Sequence, residues 1–356
     1  MKARRCYEID LLRIFGAFCI VAYHYTFKII EIDATKATLF SVVGIFSKFG
    51  YLGVNLFFMI SGFVILLSAM NKNPVLFAVS RVDRLYPTYL ACVTVSAVAI
   101  YIFDSRFNLY HYLFNLTMIN DYFNINDIDA VYWTLHAELK FYALVFFLML
   151  TGLIDRPFFY LPLWLLFSFT YYFLKQPFFM GWFISPFYSS YFISGISLYL
   201  IYDSGIDFKK ITILFGGMLL SVLNGWRQAS SFIPSSTIID KFVACLIIIL
   251  IYLVFFSFSS RPFLVKKNKR IAMASALTYS TYLIHDSVGK CFFDYILSSF
   301  AVNIYILLII TISIVVILSI IIHVCVEAPC SGKIKNLYGY GVFLFSGKMK
   351  RQIIHD

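Results

Sequence analysis

The sequence predicts an all-α, polytopic integral membrane protein with about ten transmembrane helices. Of its 356 residues, 61% are hydrophobic and only 13% are charged, whereas a soluble domain carries roughly 25% charged residues. Apolar runs of about 20 residues, the length that spans a bilayer, recur along nearly the whole chain. These runs are continuous, unlike the alternating ten-residue segments of a transmembrane β-barrel. Helices are favoured because they satisfy their own backbone hydrogen bonds in lipid.

Ten apolar runs, bounded by charges or by Pro and Gly clusters, define the predicted spans. They cover residues 9–27, 49–70, 85–103, 133–154, 158–174, 182–202, 211–226, 242–258, 272–297 and 302–326. We expect residues 1–330 to form one transmembrane domain, followed by a short basic cytoplasmic tail over residues 331–356. The first run contains Arg13 and His24 and no small-residue cleavage site follows it. It is therefore interpreted as a retained helix rather than a signal peptide.

Lysine and arginine residues concentrate on one side of this predicted topology. They lie before the first span, in the loops after the second, sixth and eighth spans, and in the tail: Lys2, Arg4, Arg5, Lys72, Arg81, Arg84, Lys209, Lys210, Arg261, Lys266, Lys267, Lys269, Arg270, Lys333, Lys335, Lys348, Lys350 and Arg351. The positive-inside rule then puts both termini in the cytoplasm.

Nucleic acid and metal are not indicated as partners. The formal net charge of +11 comes from several loops beside the membrane rather than from one basic patch, which argues against nucleic acid. The seven cysteines are scattered and form no Cys-x-x-Cys pair, so neither a metal site nor a disulfide framework is predicted. Function is therefore sought among ionisable residues inside the spans, where each is costly to bury.

The first and fourth spans carry the strongest candidates for chemistry. Arg13 and His24 are eleven positions apart, and eleven helical steps of about 100° return to within about 20° of the same face. Glu138 lies about 7.5 Å below the outer start of the fourth span, at a depth similar to that of His24. A carboxylate that meets this imidazole would orient it as a general base. Two structural alternatives stay open: pairing of Arg13 with Asp10 while His24 bonds within the bundle, and pairing of Glu138 with Lys140.

Two further groups of polar and aromatic residues flank these candidates. Arg81 and Arg84 lie three residues apart, directly before Tyr86, and on a helical turn they would share one face. Two adjacent guanidinium groups offer bidentate sites for phosphate. The alternative is an ordinary anchor in the cytoplasmic headgroups. Tyr142 lies one turn beyond Glu138 and is placed to hydrogen-bond it, although this tyrosine, like Trp133, is also typical of packing or interfacial residues.

The ninth span is unusually polar. Asp286, Lys290 and Asp294 repeat every four residues and are expected to neutralise one another along a stripe that faces the bundle. His285 is expected to point elsewhere, in the outer half of the helix and about 20 Å from its inner end.

Six motifs, in order along almost the entire chain, resemble those of the membrane acyltransferase type 3 family, which includes bacterial O-acetyltransferases of surface polysaccharides. They are Arg13 and His24 with ten residues between them, GVNLFFMISGFVI at 53–65, SRVDRLYP at 80–87, WTLHAELKFY at 133–142, YSTYLIHDSV at 279–288 and EAP at 327–329. Two positions depart from the family pattern: Asn55 stands where many members have Asp, and Ser80 replaces the first arginine of the usual doublet.

The resemblance implies an acyl-CoA donor, usually acetyl-CoA, that comes from the cytoplasm, and an acceptor hydroxyl on a surface glycan or a lipid-linked sugar. On this basis the hypothesis is that Arg81, Arg84 and Tyr86 bind the CoA part of the donor and that Arg13 steadies the donor. His24 is then expected to deprotonate the acceptor hydroxyl. An acyl-His intermediate is the alternative route.

In the same interpretation Glu138 orients His24, and six further residues contact the substrates: Trp133, Tyr142, Tyr282, His285, Asn55 and Ser61. Membrane lipids are expected partners, no metal cofactor is expected, and the expected location is the bacterial inner membrane. The sequence does not distinguish a glycan acceptor from a small-molecule acceptor.

Two functions of other classes stay open. A transporter or flippase could use intramembrane His, Glu and Lys residues as a proton relay, but the sequence lacks the inverted repeat that favours this class. A glycosyltransferase that uses a lipid-linked sugar would place an acidic metal-binding motif on an outer loop. Asp127 and Asp129 offer only an undistinctive spacing for that role.

Overall fold

All regular secondary structure in the described residues is helical, which confirms the predicted all-α class. A computed structural model describes residues 6–28, 41–70, 72–104, 107–175, 180–181, 184–261 and 265–334. The α-helices are α1 (Tyr7–Ala22), α2 (Ser41–Ser47), α3 (Leu52–Ala69), α4 (Pro74–Phe103), α5 (Leu109–Asn115), α6 (Trp133–Leu150), α7 (Pro157–Leu174), α8 (Ser189–Ser204), α9 (Phe208–Phe232), α10 (Ile238–Ser260), α11 (Lys269–Ile284), α12 (Ser287–Ser299), α13 (Ile304–Ile322) and α14 (Ala328–Cys330). Short 3₁₀ turns lie at Asn120–Phe123, Ala130–Tyr132 and Leu153–Asp155, and π-helical turns at Tyr23–Lys28 and His323–Glu327.

Eight helical segments within these ranges are long and apolar enough to cross a membrane. They are Tyr7–Lys28, Val42–Ala69, Pro74–Phe103, Ala130–Leu150, Pro157–Leu174, Phe208–Phe232, Ile238–Ser260 and Ile304–Cys330. The chain is therefore a multi-pass membrane protein. The predicted sixth span corresponds to the 16-residue α8, and residues 182–183 at its start lie outside the described residues. The count of ten stays a prediction.

The orientation of the bundle also stays a prediction. Basic residues before position 6 and after position 334, which contribute to the predicted cytoplasmic side, lie outside the described residues. The beginning of the predicted tail folds back onto α4, where the Asp83 carboxylate accepts hydrogen bonds from the backbone N–H groups of Gly332 and Ile334 at 2.7 and 2.9 Å. The division at residue 330 remains an expectation.

The third span begins earlier than predicted. The Asn73 side chain accepts hydrogen bonds from the N–H groups of Val75 and Leu76, and Pro74 occupies the first helical turn, where its missing N–H costs nothing. These are strong signals for a helix start at Pro74. The prediction that Arg81 and Arg84 lie in a loop is therefore wrong: both are on α4.

The predicted ninth helix is not continuous, because it breaks at His285 and Asp286 between α11 and α12. In an unbroken helix the His285 carbonyl would accept from the N–H four residues later. Here the Tyr25 hydroxyl donates to that carbonyl at 2.6 Å. Asp129 accepts from the Ser287 N–H at 2.9 Å. Side chains from two other parts of the chain thus satisfy the backbone groups that the break releases.

The centre of the bundle is the contact between α3 and α8. A Cβ atom added to Gly62 would lie 2.3 Å from the Phe192 carbonyl oxygen, and one added to Gly195 would lie 2.0 Å from the Met59 carbonyl oxygen. The two backbones therefore pack directly against each other, as small residues allow between membrane helices. Three of the helices that carry the candidate site, α1, α4 and α6, contact α3, and α11 packs against α1 and α4.

Candidate functional site

A π-helical turn at the end of α1 places His24 against the break between α11 and α12. The His24 Nδ1 atom lies 2.8 Å from Oδ1 of Asp286, and the Lys28 Nζ atom lies 3.8 Å from the other carboxylate oxygen. A carboxylate only accepts hydrogen bonds, so the Nδ1–H group of His24 is the donor. In the neutral ring Nε2 then keeps its lone pair, which is the state a general base needs.

The predicted pairing of His24 with Glu138 is wrong. Asp286 takes the place beside His24, whereas Glu138 accepts hydrogen bonds from the hydroxyls of Ser61, at 3.1 Å, and Tyr142. Similar depth on two helices does not determine which faces of those helices meet. Asp286 likewise bonds across the bundle to His24 and Lys28 instead of pairing with Lys290, four residues further along the chain.

His285 is fully buried and its ring lies beside that of His24. The ring centroids are 4.8 Å apart at an interplanar angle of 81°. Nδ1 of His285 lies 2.7 Å from the Tyr282 carbonyl oxygen, so it carries the proton and Nε2 carries the lone pair. Within the described residues Nε2 of His285 has no hydrogen-bond partner. We define the His24 cluster as His24, Lys28, Asp129, His285 and Asp286.

Asp129 ties the loop before α6 to the break in the ninth span. Its two carboxyl oxygens accept from the N–H groups of Val131 and Ser287 at 3.1 and 2.9 Å. Burial and the nearby Asp286 carboxylate raise the pKa of Asp129 to about 7, because both disfavour its charged form. Its neighbour Asp127 contacts His136 Nε2 at 2.9 Å. Within the ranges that the structure describes, no three His, Cys, Asp or Glu side chains are arranged so that they could hold a metal ion.

A second group of charges lies around Glu138. We define the Glu138 cluster as Arg13, Ser61, Arg81, Glu138 and Tyr142. Arg13 and Arg81 both interact electrostatically with the Glu138 carboxylate. The Arg81 guanidinium lies 5.5 Å from the Phe77 ring centroid and 6.0 Å from that of Tyr142, a cation–π geometry.

The Glu138 cluster has an excess of positive charge. The exposed Arg84 repels both Arg13 and Arg81 electrostatically, and the Asp10 carboxylate attracts Arg13. The partly buried guanidinium groups of Arg13 and Arg81 therefore face the carboxylates of Asp10 and Glu138, and the exposed Arg84 adds a third positive charge at the edge of the cluster. This third positive charge favours an anionic ligand at that edge. The alternative pairing of Glu138 with Lys140 is not formed, because Lys140 Nζ lies 3.7 Å from Asp121.

Several predicted contact residues share one cavity. This cavity of about 260 Å³ lies between α4 and α6, and its lining includes Arg81, Tyr86 and Tyr142 among apolar side chains. The Tyr86 hydroxyl donates to the Leu116 carbonyl at 2.7 Å. The predicted donor-binding pair Arg81 and Tyr86 is thus brought together with Tyr142, whereas Arg84 does not line this cavity.

The remaining predicted residues lie in three places. The Tyr282 hydroxyl is 3.0 Å from Thr134 Oγ1, and the Tyr282 ring is 5.6 Å from that of His285. The Trp133 ring packs 5.0 Å from that of Tyr188. Asn55 lies outside both clusters, and its Nδ2 donates to Tyr191 Oη at 3.0 Å and Gln228 Oε1 at 3.1 Å.

Three members of the His24 cluster were not predicted as site residues: Lys28, Asp129 and Asp286. Asp286 carried a usable signal, because it directly follows His285 in a span and is costly to bury there. Lys28 lies four residues after His24 on the same helix, which is the spacing that brings side chains to one face. Asp129 gave no sequence signal for this position, since a long-range contact with Ser287 places it.

One family model matches a region of the chain that contains both clusters. The model of an acyltransferase domain matches residues 7–324, which include every member of the His24 and Glu138 clusters. No curated protein and no solved structure gives a significant match. Because the matched region spans most of the chain, the protein belongs to the acyltransferase type 3 family and is a membrane acyltransferase.

Proposed function

We propose that this membrane acyltransferase moves an acetyl group from cytoplasmic acetyl-CoA to a hydroxyl of a surface glycan or a lipid-linked sugar, in the bacterial inner membrane. The observation that carries the proposal is the hydrogen bond between His24 Nδ1 and Asp286. It leaves Nε2 of His24 as a base whose tautomer and orientation are fixed, as the carboxylate does in a catalytic triad.

The acyl transfer follows from this base. Nε2 of His24 removes the proton of the acceptor hydroxyl while the hydroxyl oxygen attacks the thioester carbonyl carbon. The tetrahedral intermediate collapses with cleavage of the C–S bond, and the CoA thiolate takes the proton back from His24. The products are the ester and free CoA. Asp286 stabilises the imidazolium that forms between the two proton transfers.

In the His24 cluster, Nε2 of His285 is a second ring nitrogen that carries a lone pair. Its buried Nε2 has no partner within the described residues, and a buried polar atom without a hydrogen bond is unfavourable. We assign it to a hydrogen bond from the acceptor, next to the hydroxyl that His24 deprotonates. Tyr282 keeps the ring of His285 in the required tautomer through its carbonyl oxygen.

The Glu138 cluster supports the donor side of the proposal. CoA carries phosphate groups, and guanidinium groups bind phosphate with strong charge-assisted hydrogen bonds. Arg81 and Arg84 occupy consecutive turns of α4, and Arg13 lies within the electrostatic reach of Arg84. In this arrangement Arg81, Arg84 and Tyr86 hold the CoA part while Arg13 and Glu138 position the arm that leads to the thioester.

The test is acyl transfer by the purified protein. In detergent, with acetyl-CoA and a membrane glycolipid extract, we expect release of free CoA thiol that requires the extract and is lost in His24→Ala. Glycans from cells with and without the gene, compared by NMR and mass spectrometry, should differ by an acetyl ester. Thiol release by His24→Ala at the wild-type rate, or unchanged glycans, would contradict the proposal.

A further inference from the structure

Two side chains satisfy carbonyl groups that the break in the ninth span releases. Helix α11 ends at Ile284 and α12 begins at Ser287, so the last carbonyls of α11 lack partners within the helix. The Tyr282 carbonyl accepts from the Nδ1–H group of His285 at 2.7 Å. The His285 carbonyl accepts from the Tyr25 hydroxyl at 2.6 Å. This second contact ties the break to the π-helical turn that follows α1.

The Tyr25 hydroxyl occupies a position that the helix itself would use. In an unbroken helix the His285 carbonyl would accept from the Gly289 N–H. The backbone ladder instead resumes one residue later, where the Lys290 N–H donates to the Asp286 carbonyl at 2.9 Å. The hydroxyl therefore replaces one backbone donor. A side chain inserted into the ladder in this way is one of the recognised causes of a sharp helix kink.

Gly289 makes room for this contact. A Cβ atom added to Gly289 would lie 1.8 Å from the Tyr25 hydroxyl oxygen and 2.6 Å from Cζ of the same ring. Both distances are far shorter than the separation of two non-bonded atoms in contact. Tyr25 is 1% exposed and His285 is fully buried. If position 289 carried a methyl group, the Tyr25 hydroxyl would therefore have to leave the break.

The residue directly before Tyr25 is the proposed base. His24 and Tyr25 both lie in the π-helical turn Tyr23–Lys28, and such turns occur frequently at functional sites. His24 Nδ1 donates to Asp286, and the Tyr25 hydroxyl donates to the carbonyl of the residue before Asp286. Two consecutive residues of the turn thus contact two consecutive residues of the break. Closure of the break into a regular helix would change the direction of the Asp286 side chain.

We propose that Tyr25 is a positioning residue for the acyl transfer. Its hydroxyl holds the ninth span broken, and the break holds the Asp286 carboxylate at Nδ1 of His24. The effect on the reaction rests on the proposed function, whereas the effect on the break is independent of it. The alternative is a purely structural role, in which loss of the hydroxyl lowers the amount of folded protein and leaves the kcat of the folded molecules unchanged.

The first experiment is a double-mutant cycle of Tyr25→Phe and Asp286→Asn in acceptor-dependent thiol release. Tyr25→Phe keeps the ring and removes only the hydroxyl. We expect its kcat to fall by about 10- to 100-fold, the range for a small displacement of a catalytic group, with the KM for acetyl-CoA unchanged. In the Asp286→Asn protein the same substitution should change kcat by less than about twofold, because the contact that Tyr25 supports is already lost.

Tyr23→Phe is the matched control. The Tyr23 hydroxyl, in the same π-helical turn, also donates to a backbone carbonyl, that of Phe232 on α9, at 2.8 Å. We expect wild-type kcat for this variant. Gly289→Ala, whose methyl group displaces the Tyr25 hydroxyl, should lower kcat as Tyr25→Phe does. Wild-type kcat in either of these two variants, an equal loss in Tyr23→Phe, or an equal loss with and without Asp286→Asn would overturn the proposal.

The second experiment does not require the reaction. Structures of the wild-type and Tyr25→Phe proteins by cryo-electron microscopy should differ at the break. In the variant we expect the Gly289 N–H to donate to the His285 carbonyl and Asp286 to lose its contact with His24. An unchanged break with that contact intact would overturn the proposal. If the wild-type protein releases no acceptor-dependent thiol, the proposed function fails, and this comparison still decides whether Tyr25 holds the break.

Discussion

The His24 cluster and the Glu138 cluster differ in the balance of their positive and negative charges. In the first, Asp286 lies between His24 and Lys28, so its negative charge has partners within the cluster. In the second, guanidinium groups outnumber the carboxylates around Glu138. A cluster that is balanced fixes the orientation and tautomer of a base. In the proposed function, the phosphate groups of the CoA donor offset the excess positive charge of the second cluster.

The largest expected effect is a fall in kcat when His24 is replaced, because His24 is the proposed base and does not bind the anionic donor. His24→Ala should lower kcat by about 10²- to 10⁴-fold, the usual contribution of a general base, and leave the KM for acetyl-CoA nearly unchanged. His323→Gln is the matched control, because His323 contacts Glu327 and lies outside both clusters. Steady-state thiol release measures both constants. A loss confined to the KM for acetyl-CoA would move His24 to the donor site.

The second-largest expected effect is a change in the KM for acetyl-CoA. Arg81→Gln removes a guanidinium from the cavity that Tyr86 and Tyr142 also line. We expect the KM for acetyl-CoA to rise by about tenfold or more, since a hydrogen bond to a charged group is worth roughly 1.5 to 3 kcal/mol. Arg156→Gln, at an exposed position before α7, is the control. If kcat falls and the KM does not change, Arg81 acts in the chemical step instead.

The third effect is a pH dependence of stability that belongs to the His24 cluster. Burial and the nearby Asp286 carboxylate raise the pKa of Asp129 to about 7, whereas an aspartate in an unfolded chain has a pKa of about 3.9. Between these values the unfolded carboxyl ionises while the folded one keeps its proton, so the free energy of unfolding falls as pH rises. Wild-type thermal stability should therefore decrease from pH 4 to pH 7 more steeply than that of Asp129→Asn. Parallel curves for the two proteins would show that Asp129 is ionised in the folded state.

The smallest effect lies within the Glu138 cluster. Ser61→Ala removes one of the two hydroxyl groups that donate to Glu138 Oε1, and Tyr142 still donates to it. We expect a change of less than about 1.4 kcal/mol, or tenfold, in the KM for acetyl-CoA, with kcat unchanged. A large loss of kcat would instead give Ser61 a direct part in catalysis.

The membrane class could be predicted from the sequence because it depends on composition and run length. Eight of the predicted runs match helices that are long and apolar enough to span a membrane. The structure begins α4 earlier than the predicted span, because the charges of Arg81 and Arg84 interrupt the apolar run from which the span is predicted. Hydropathy gives no signal for a helical turn that carries such charges.

Partner choice in the site could be predicted only in part. The Tyr142 to Glu138 contact follows from a spacing of four residues on one helix, and the structure contains it. The His24 to Asp286 contact joins residues that are 262 positions apart and depends on a helix break. That break depends in turn on Tyr25 and Asp129, which bond its free carbonyl and N–H groups. Helical periodicity predicts which residues share a face of one helix, and it does not predict contacts between distant parts of the chain.

The central claim is that Asp286, and not Glu138, orients the catalytic base. The direct test compares kcat for Asp286→Asn and Glu138→Gln, two isosteric changes, in acceptor-dependent thiol release at saturating acetyl-CoA. We predict a fall of about 10²- to 10⁴-fold for Asp286→Asn, as for loss of the carboxylate in a catalytic triad, and less than about fivefold for Glu138→Gln. A large fall for Glu138→Gln, with Asp286→Asn close to wild type, would contradict the account.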